Sequence, residues 1–107
     1  MNMNSHIEYS PESRNDIENF NKFQQQQIRK AIEKVAKNPL PQNEGGYGKP
    51  LGNKRGRNLT GCLKIVLMKL GIRVVYKLIR TETTMEIIVI AARGDEEVYD
   101  MAAKRIK

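Results

Sequence analysis

Four residues in this chain are of the types that could act together on an RNA phosphodiester: Lys64, Arg73, Arg93 and Tyr99. Cutting RNA at a ribose needs one group to take the 2′-hydroxyl proton and one to protonate the leaving 5′-oxygen. Cations must also stabilise the pentacoordinate phosphate. Histidine is the usual base, but the single histidine, His6, lies beside an N-terminus read as mobile. Metal-bound water would need a carboxylate or histidine cluster, and the basic stretch offers none, so no metal or other cofactor is expected. Tyr99 is left as the proton carrier. A tyrosine hydroxyl ordinarily ionises at about 10, unless neighbouring cations stabilise the phenolate. Taken singly, a helical tyrosine is usually packing and a strand arginine usually solvated, so the reading rests on the four together.

The elements that would hold these residues lie between Leu63 and Tyr99. Three runs rich in Ile, Val, Leu, Thr and Tyr (63–68, 72–80 and 85–92) are separated by short breaks at 69–71 and 81–84, as in an antiparallel meander. Strand alternation puts Leu63, Ile65 and Leu67 on one face and Cys62, Lys64, Val66 and Met68 on the other. In the second run Val74, Tyr76 and Leu78 oppose Arg73, Val75, Lys77 and Ile79. The third run is apolar on both sides, as a strand covered on each face should be. A last helix follows, with Asp95 as its cap and an apolar stripe of Val98, Met101, Ala102 and Ile106. Arg93 and Tyr99 are placed to reach the same open face as Lys64 and Arg73.

Upstream, His6 to Tyr9 reads as a short strand ended by Ser10-Pro11, which caps and starts a first helix marked by Ile17 and Phe20. Asn21 breaks it before a longer helix over about 22–37, whose buried stripe is Phe23, Ile28, Ala31, Ile32, Val35 and Ala36. Asn38-Pro39 stops that helix. Residues 41–57 read as a flexible basic loop holding five of the eight glycines. A phosphate-binding P-loop fails there at both ends: Asn43 stands where the first glycine is required, and Pro50 where the hydroxyl is required. Lys49, Lys54, Arg55 and Arg57 are left free to meet a phosphate backbone, or the segment simply connects a hairpin. With Lys69 and Lys77 they form the candidate RNA-binding set.

Charge supports an anionic partner. The net charge of +7 is concentrated on residues 45–93, which carry +8, while 1–44 carry zero and 94–107 carry −1. Such a patch is the electrostatic footprint of a nucleic-acid binder, set against the plainer reading of a solvated basic surface. The 107 residues suffice for one domain with one modest core, and residues 1–5 are expected to be disordered. One cysteine, Cys62, excludes an internal disulfide framework and reads as a small strand residue. No apolar run is long enough to span a bilayer and MNMNSHIEYS has no signal-peptide core, so a cytoplasmic location is expected.

The order of these pieces resembles a known family. The stretches CLKIVLMKLGIRVVY and IAARGDEEVYDMAAKRI, preceded by KPLGNKRGRNLTG, look like the RelE branch of the RelE/ParE superfamily of bacterial toxins. The resemblance runs from about His6 to the last helix, and the Arg93-to-Tyr99 spacing carries much of it. It implies an α+β fold: two N-terminal helices packed on a small, mainly antiparallel sheet, with a short C-terminal helix. It also implies a type II toxin–antitoxin toxin that cuts mRNA in the ribosomal A site without a metal, leaving a 2′,3′-cyclic phosphate and a 5′-hydroxyl. Lys64 and Arg73 would correspond to the family's phosphate-stabilising cations, Arg93 to its general acid and Tyr99 to the tyrosine that activates the 2′-hydroxyl. Implied partners are a cognate antitoxin, which would wrap the basic surface or displace the last helix, and the ribosome with its mRNA; no membrane is involved. The chain departs from the pattern at Val66, where well-known members carry a second lysine, and in the acidic run after Arg93. Lys69 or the loop lysines are candidates for the missing charge. Two alternatives stand beside this: a ParE-like inhibitor of DNA gyrase with the same fold, and a basic module that binds nucleic acid without cutting it.

Overall fold

A computed structural model describes residues 5–106. The expected disorder of residues 1–5 therefore lies outside the described residues except at Ser5, whose amide donates to the Ala36 carbonyl at 3.0 Å. The elements run β1 (His6–Tyr9), α1 (Pro11–Glu18), α2 (Lys22–Ala36), β2 (Lys49–Lys54), β3 (Arg57–Leu67), β4 (Ile72–Ile79), β5 (Thr84–Ala91) and α3 (Asp95–Arg105). The five strands form one sheet in the order β1-β5-β4-β3-β2, antiparallel except that β1 lies parallel to β5. This is the expected α+β architecture. No helix among the described residues is long and apolar enough to cross a membrane.

The helices start where their caps require. Ser10 accepts from the Ser13 amide, and Pro11 fills the first helical position, where a missing N–H does no harm. Asn21 and Gln24 form a reciprocal capping box at the head of α2. Ile28 and Ile32 of α2 are fully buried, each side chain worth roughly 1.5–3 kcal/mol of transfer energy. They pack on the sheet face that carries Leu63, Val74, Tyr76 and Met85. The opposite face carries Cys62, Val75, Ile88 and Val89, and α3 covers it with Val98, Tyr99 and Ala102. The alternation read from sequence therefore sorts the two faces correctly. It breaks at a bulge in β5, where Ile88 and Val89 both face α3, and upstream in β3, where Leu59 and Cys62 share that face although three residues apart. Cys62 is buried, and desolvation pushes its thiol up, in keeping with a structural role.

The segment read as a loop over 41–57 is largely a hairpin. Residues 49–54 form β2, and β3 begins at Arg57, well before the expected Leu63. Backbone pairing makes this strand without apolar alternation. Its register shifts between Pro50 and Gly52, and the Arg55-Gly56 turn has positive φ at both residues, as a two-residue hairpin turn requires.

Candidate active site

Lys64 projects from β3 to the α3 side and Arg73 from the start of β4, two strands that pair side by side. Tyr99 comes down on them from the second turn of α3. The Lys64 side chain is almost wholly buried, 6% exposed, which an unpaired charge would not tolerate. It donates to the Tyr99 hydroxyl oxygen at 2.9 Å and lies 5.3 Å from the ring centroid. It also donates to Asp95 Oδ1 at 3.2 Å. Arg73 Nε donates to the same Asp95 oxygen at 2.6 Å, and Arg73 Nη1 donates to the Arg93 carbonyl at 2.7 Å. Two cations thus converge on one carboxylate oxygen beside a tyrosine.

Asp95 corrects the sequence reading. The cap of α3 is Gly94, and no side chain caps this end. Asp95 is instead the first helical residue, with its carboxylate turned to Lys64 and Arg73. Desolvation is the largest single influence and works against its ionisation, but the hydrogen bonds and charges of Lys64 and Arg73 together outweigh it and hold the carboxyl below the ordinary range.

Of the four residues expected to act together, three meet: Lys64 contacts Tyr99 directly, and Asp95 joins Lys64 to Arg73. Arg93 joins only through its backbone carbonyl. Its side chain is 64% exposed and reaches Glu97 at 3.8 Å. Val66 pairs across the ladder with Arg73.

The candidate RNA-binding residues are dispersed. Lys49 pairs in register with Lys64. Lys54 and Arg55 sit at the tip of the β2–β3 hairpin, with Arg55 3.5 Å from Glu96. Arg57, expected to be free, is tied to α3: it reaches Asp100 at 2.6 Å and Glu96 at 3.2 Å. Lys69 sits in the turn at Met68–Leu70, beside an apolar groove that includes Phe23 and Met68. Lys77 lies farther along β4, paired in register with Cys62 and Glu86. A cleft at the sheet edge, about 430 Å³, brings Lys34, Gln42, Tyr47 and Lys49 up to Lys64. Tyr47 is half exposed there, with the Lys34 ammonium 5.7 Å from its ring centroid. Sequence reasoning passed over Tyr47, whose signal was an aromatic residue set among lysines and glycines.

Known proteins bear on this geometry. No family model matches the chain. A curated Escherichia coli relative named as a RelE-like toxin is 23% identical over 105 residues, covering 98% of this chain and 100% of the relative. Among solved structures, a mutant of the E. coli toxin RelE in the free state superposes with a TM-score of 0.74 at 22% identity, over 100% of both chains. The chain has the RelE fold. The resemblance read from the sequence thus extends to the whole three-dimensional arrangement. Two further RelE-fold structures are similar. One is the E. coli toxin mutant with an antitoxin RelB peptide, with a TM-score of 0.69 at 21% identity over 97% of this chain and 99% of that one. The other is a toxin–antitoxin complex from Mycobacterium tuberculosis, with a TM-score of 0.65 at 20% identity over 85% and 93%.

Proposed function

We propose that this chain is the toxin of a type II toxin–antitoxin pair and acts as a metal-independent endoribonuclease on mRNA in the ribosome. The observation that carries the reading is the Lys64–Tyr99 contact at 2.9 Å with Arg73 beside it. A phenolic oxygen that accepts from an ammonium leaves its charge next to a cation when its proton departs, which suits a group that takes a proton from a ribose 2′-hydroxyl. The 2′-oxygen would then attack the adjacent phosphorus while the bond to the 5′-oxygen breaks. Lys64 and Arg73 would neutralise the charge gathering on the phosphate. Arg93, exposed and held only by its 3.8 Å contact with Glu97, would swing in and give a proton to the departing 5′-oxygen. The products would be a 2′,3′-cyclic phosphate and a 5′-hydroxyl. The basic stretch supports docking on a ribosomal RNA surface, and the solved complexes of RelE-fold toxins support an antitoxin as the protein partner.

The test is primer extension on mRNA from cells briefly expressing this chain, with Tyr99→Phe and Arg73→Ala in parallel. Cuts in register with codons, confined to translated regions and absent in both variants, support the reading. Intact mRNA, arrested growth and an induced DNA-damage response would replace it with gyrase inhibition.

A further inference from the structure

The unexpected member of the site is Asp95. Its Oδ1 receives Arg73 Nε at 2.6 Å and Lys64 Nζ at 3.2 Å, so one oxygen takes both cations that face it. An anionic phosphate oxygen makes the same demand on an ammonium and a guanidinium. The two anions cannot share that point, because a phosphate seated there would meet the carboxylate at contact distance. The side chains of Asp95 and Arg73 are 44% and 26% exposed while that of Lys64 is 6% exposed, so a ligand reaches the seat from the Asp95 and Arg73 side.

We propose that Asp95 sets the affinity and selectivity of this site: its carboxylate holds the seat that a substrate phosphate takes, and only a ligand with further contacts displaces it. The proposal rests on the reading of Lys64 and Arg73 as phosphate-binding cations. Its physical basis is competition between tethered and free anions. A carboxylate fixed on the first turn of α3 faces Lys64 and Arg73 at a high effective concentration, so a small free anion competes poorly. A nucleic-acid strand brings neighbouring phosphates to other cations, such as Lys49 across the ladder from Lys64, and gains what a lone phosphate lacks. Asp95 would therefore keep the site from filling with the inorganic phosphate of the cell. With Asp95 counted, the seat carries one net positive charge; without it, two. The carboxyl is held in its ionised form by the same two partners, which keeps this anion in place at neutral pH.

The experiment is a titration of the full chain with inorganic phosphate at neutral pH, followed by NMR, for wild type, Asp95→Asn, Asp95→Ala and Glu97→Gln. Both Asp95 variants are expected to bind phosphate at least tenfold more tightly than wild type, with shifts centred on Lys64 and Arg73. Glu97→Gln, which removes the same charge from the same helix, is expected to match wild type. Equal affinity in all four chains overturns the proposal. So does an equal gain in Glu97→Gln, which would assign the effect to bulk charge, and so does loss of phosphate binding in the Asp95 variants. If neither Asp95 variant folds, the wild-type chain decides. Adding a short single-stranded RNA with a 2′-deoxy sugar at the cleavage position should move the Asp95 carboxyl-carbon resonance, and an unmoved resonance with RNA bound rejects displacement. Phosphate uptake is read without any cleavage, so the two claims separate. A tenfold gain with uncut mRNA keeps the seat and removes the nuclease, while codon-register cuts with no gain do the reverse.

Discussion

Arg105 and Asp16 grip each other across the molecule: Nη1 donates to Oδ2 at 2.7 Å, and Nη2 to Oδ1 at 3.2 Å. The pair also supplies partners that the sheet lacks. Strand β1 ends at its pairing with Ile87, which leaves the next backbone groups of β5 without a strand neighbour on that side. Asp16 accepts from the Ile90 amide at 2.9 Å, and Arg105 donates to the Ile88 carbonyl at 2.9 Å. Helix α3 is therefore anchored at both ends by carboxylates, Asp95 at the site and Asp16 at its last turn.

Removing Asp16 should loosen the fold. Asp16→Ala leaves the buried Ile90 amide without an acceptor and strips a partly buried guanidinium of its carboxylate, leaving it only the Ile88 carbonyl, and is expected to lower unfolding free energy by about 3 kcal/mol. Asp16→Asn keeps an acceptor and should lose less. Urea unfolding checks this, as a fall in midpoint with unchanged slope.

Acid should release the site end of α3. Because the Asp95 carboxyl is lowered in the fold, its contribution is fully present above the ordinary carboxylate range. It is lost as pH falls through the lowered folded value. Thermal unfolding from neutral pH downward should show this acid-side loss in wild type, and Asp95→Asn should lack that component.

The buried hydroxyl of Tyr76 donates to the Pro39 carbonyl at 2.7 Å, and desolvation pushes its ionisation far up. Tyr76→Phe should lower stability by about 1–2 kcal/mol, read from the melting temperature, by leaving that carbonyl unpaired. Gly48 lies against the same hydroxyl, and a Cβ there would collide with Tyr76 and Leu63. Gly48→Ala should therefore be at least as damaging as Tyr76→Phe.

Tyr47 offers a ring for a nucleobase beside Lys34 and Lys49. Tyr47→Ala should weaken binding of a short single-stranded RNA about tenfold, within the 1–3 kcal/mol typical of base–aromatic stacking, and Tyr47→Phe should not. Fluorescence anisotropy with a labelled oligonucleotide distinguishes them.

What the sequence revealed follows from the range of each signal. Ser10 announces its helix because a cap acts within three residues, and β3 and β4 show their faces because alternation is local. The contact between Lys64 and Tyr99 joins two residues that the sequence had grouped by type, a tyrosine among cations. Strand β2 was hidden because KPLGNK has no apolar alternation and owes its form to its partner. Asp95 looked like a cap because an acidic residue at a helix start usually is one, and its true partners lie 31 and 22 positions away. The Asp16–Arg105 pair spans 89 positions, with nothing near either residue to point to the other.

The parallel pairing of β1 with β5 sets how the chain must come together in time. His6 meets Thr84, and β5 is then flanked by β1 on one side and β4 on the other. The β2–β3 and β3–β4 hairpins can form from neighbouring residues, but β1 must wait for a loop closure across most of the chain, whose entropy is lost before any contact repays it. Refolding is thus expected on the millisecond-to-second side for a domain of this size. A chain nicked between α2 and β2 would keep its hairpins and its cations, yet β1 would then have to find β5 from a separate fragment.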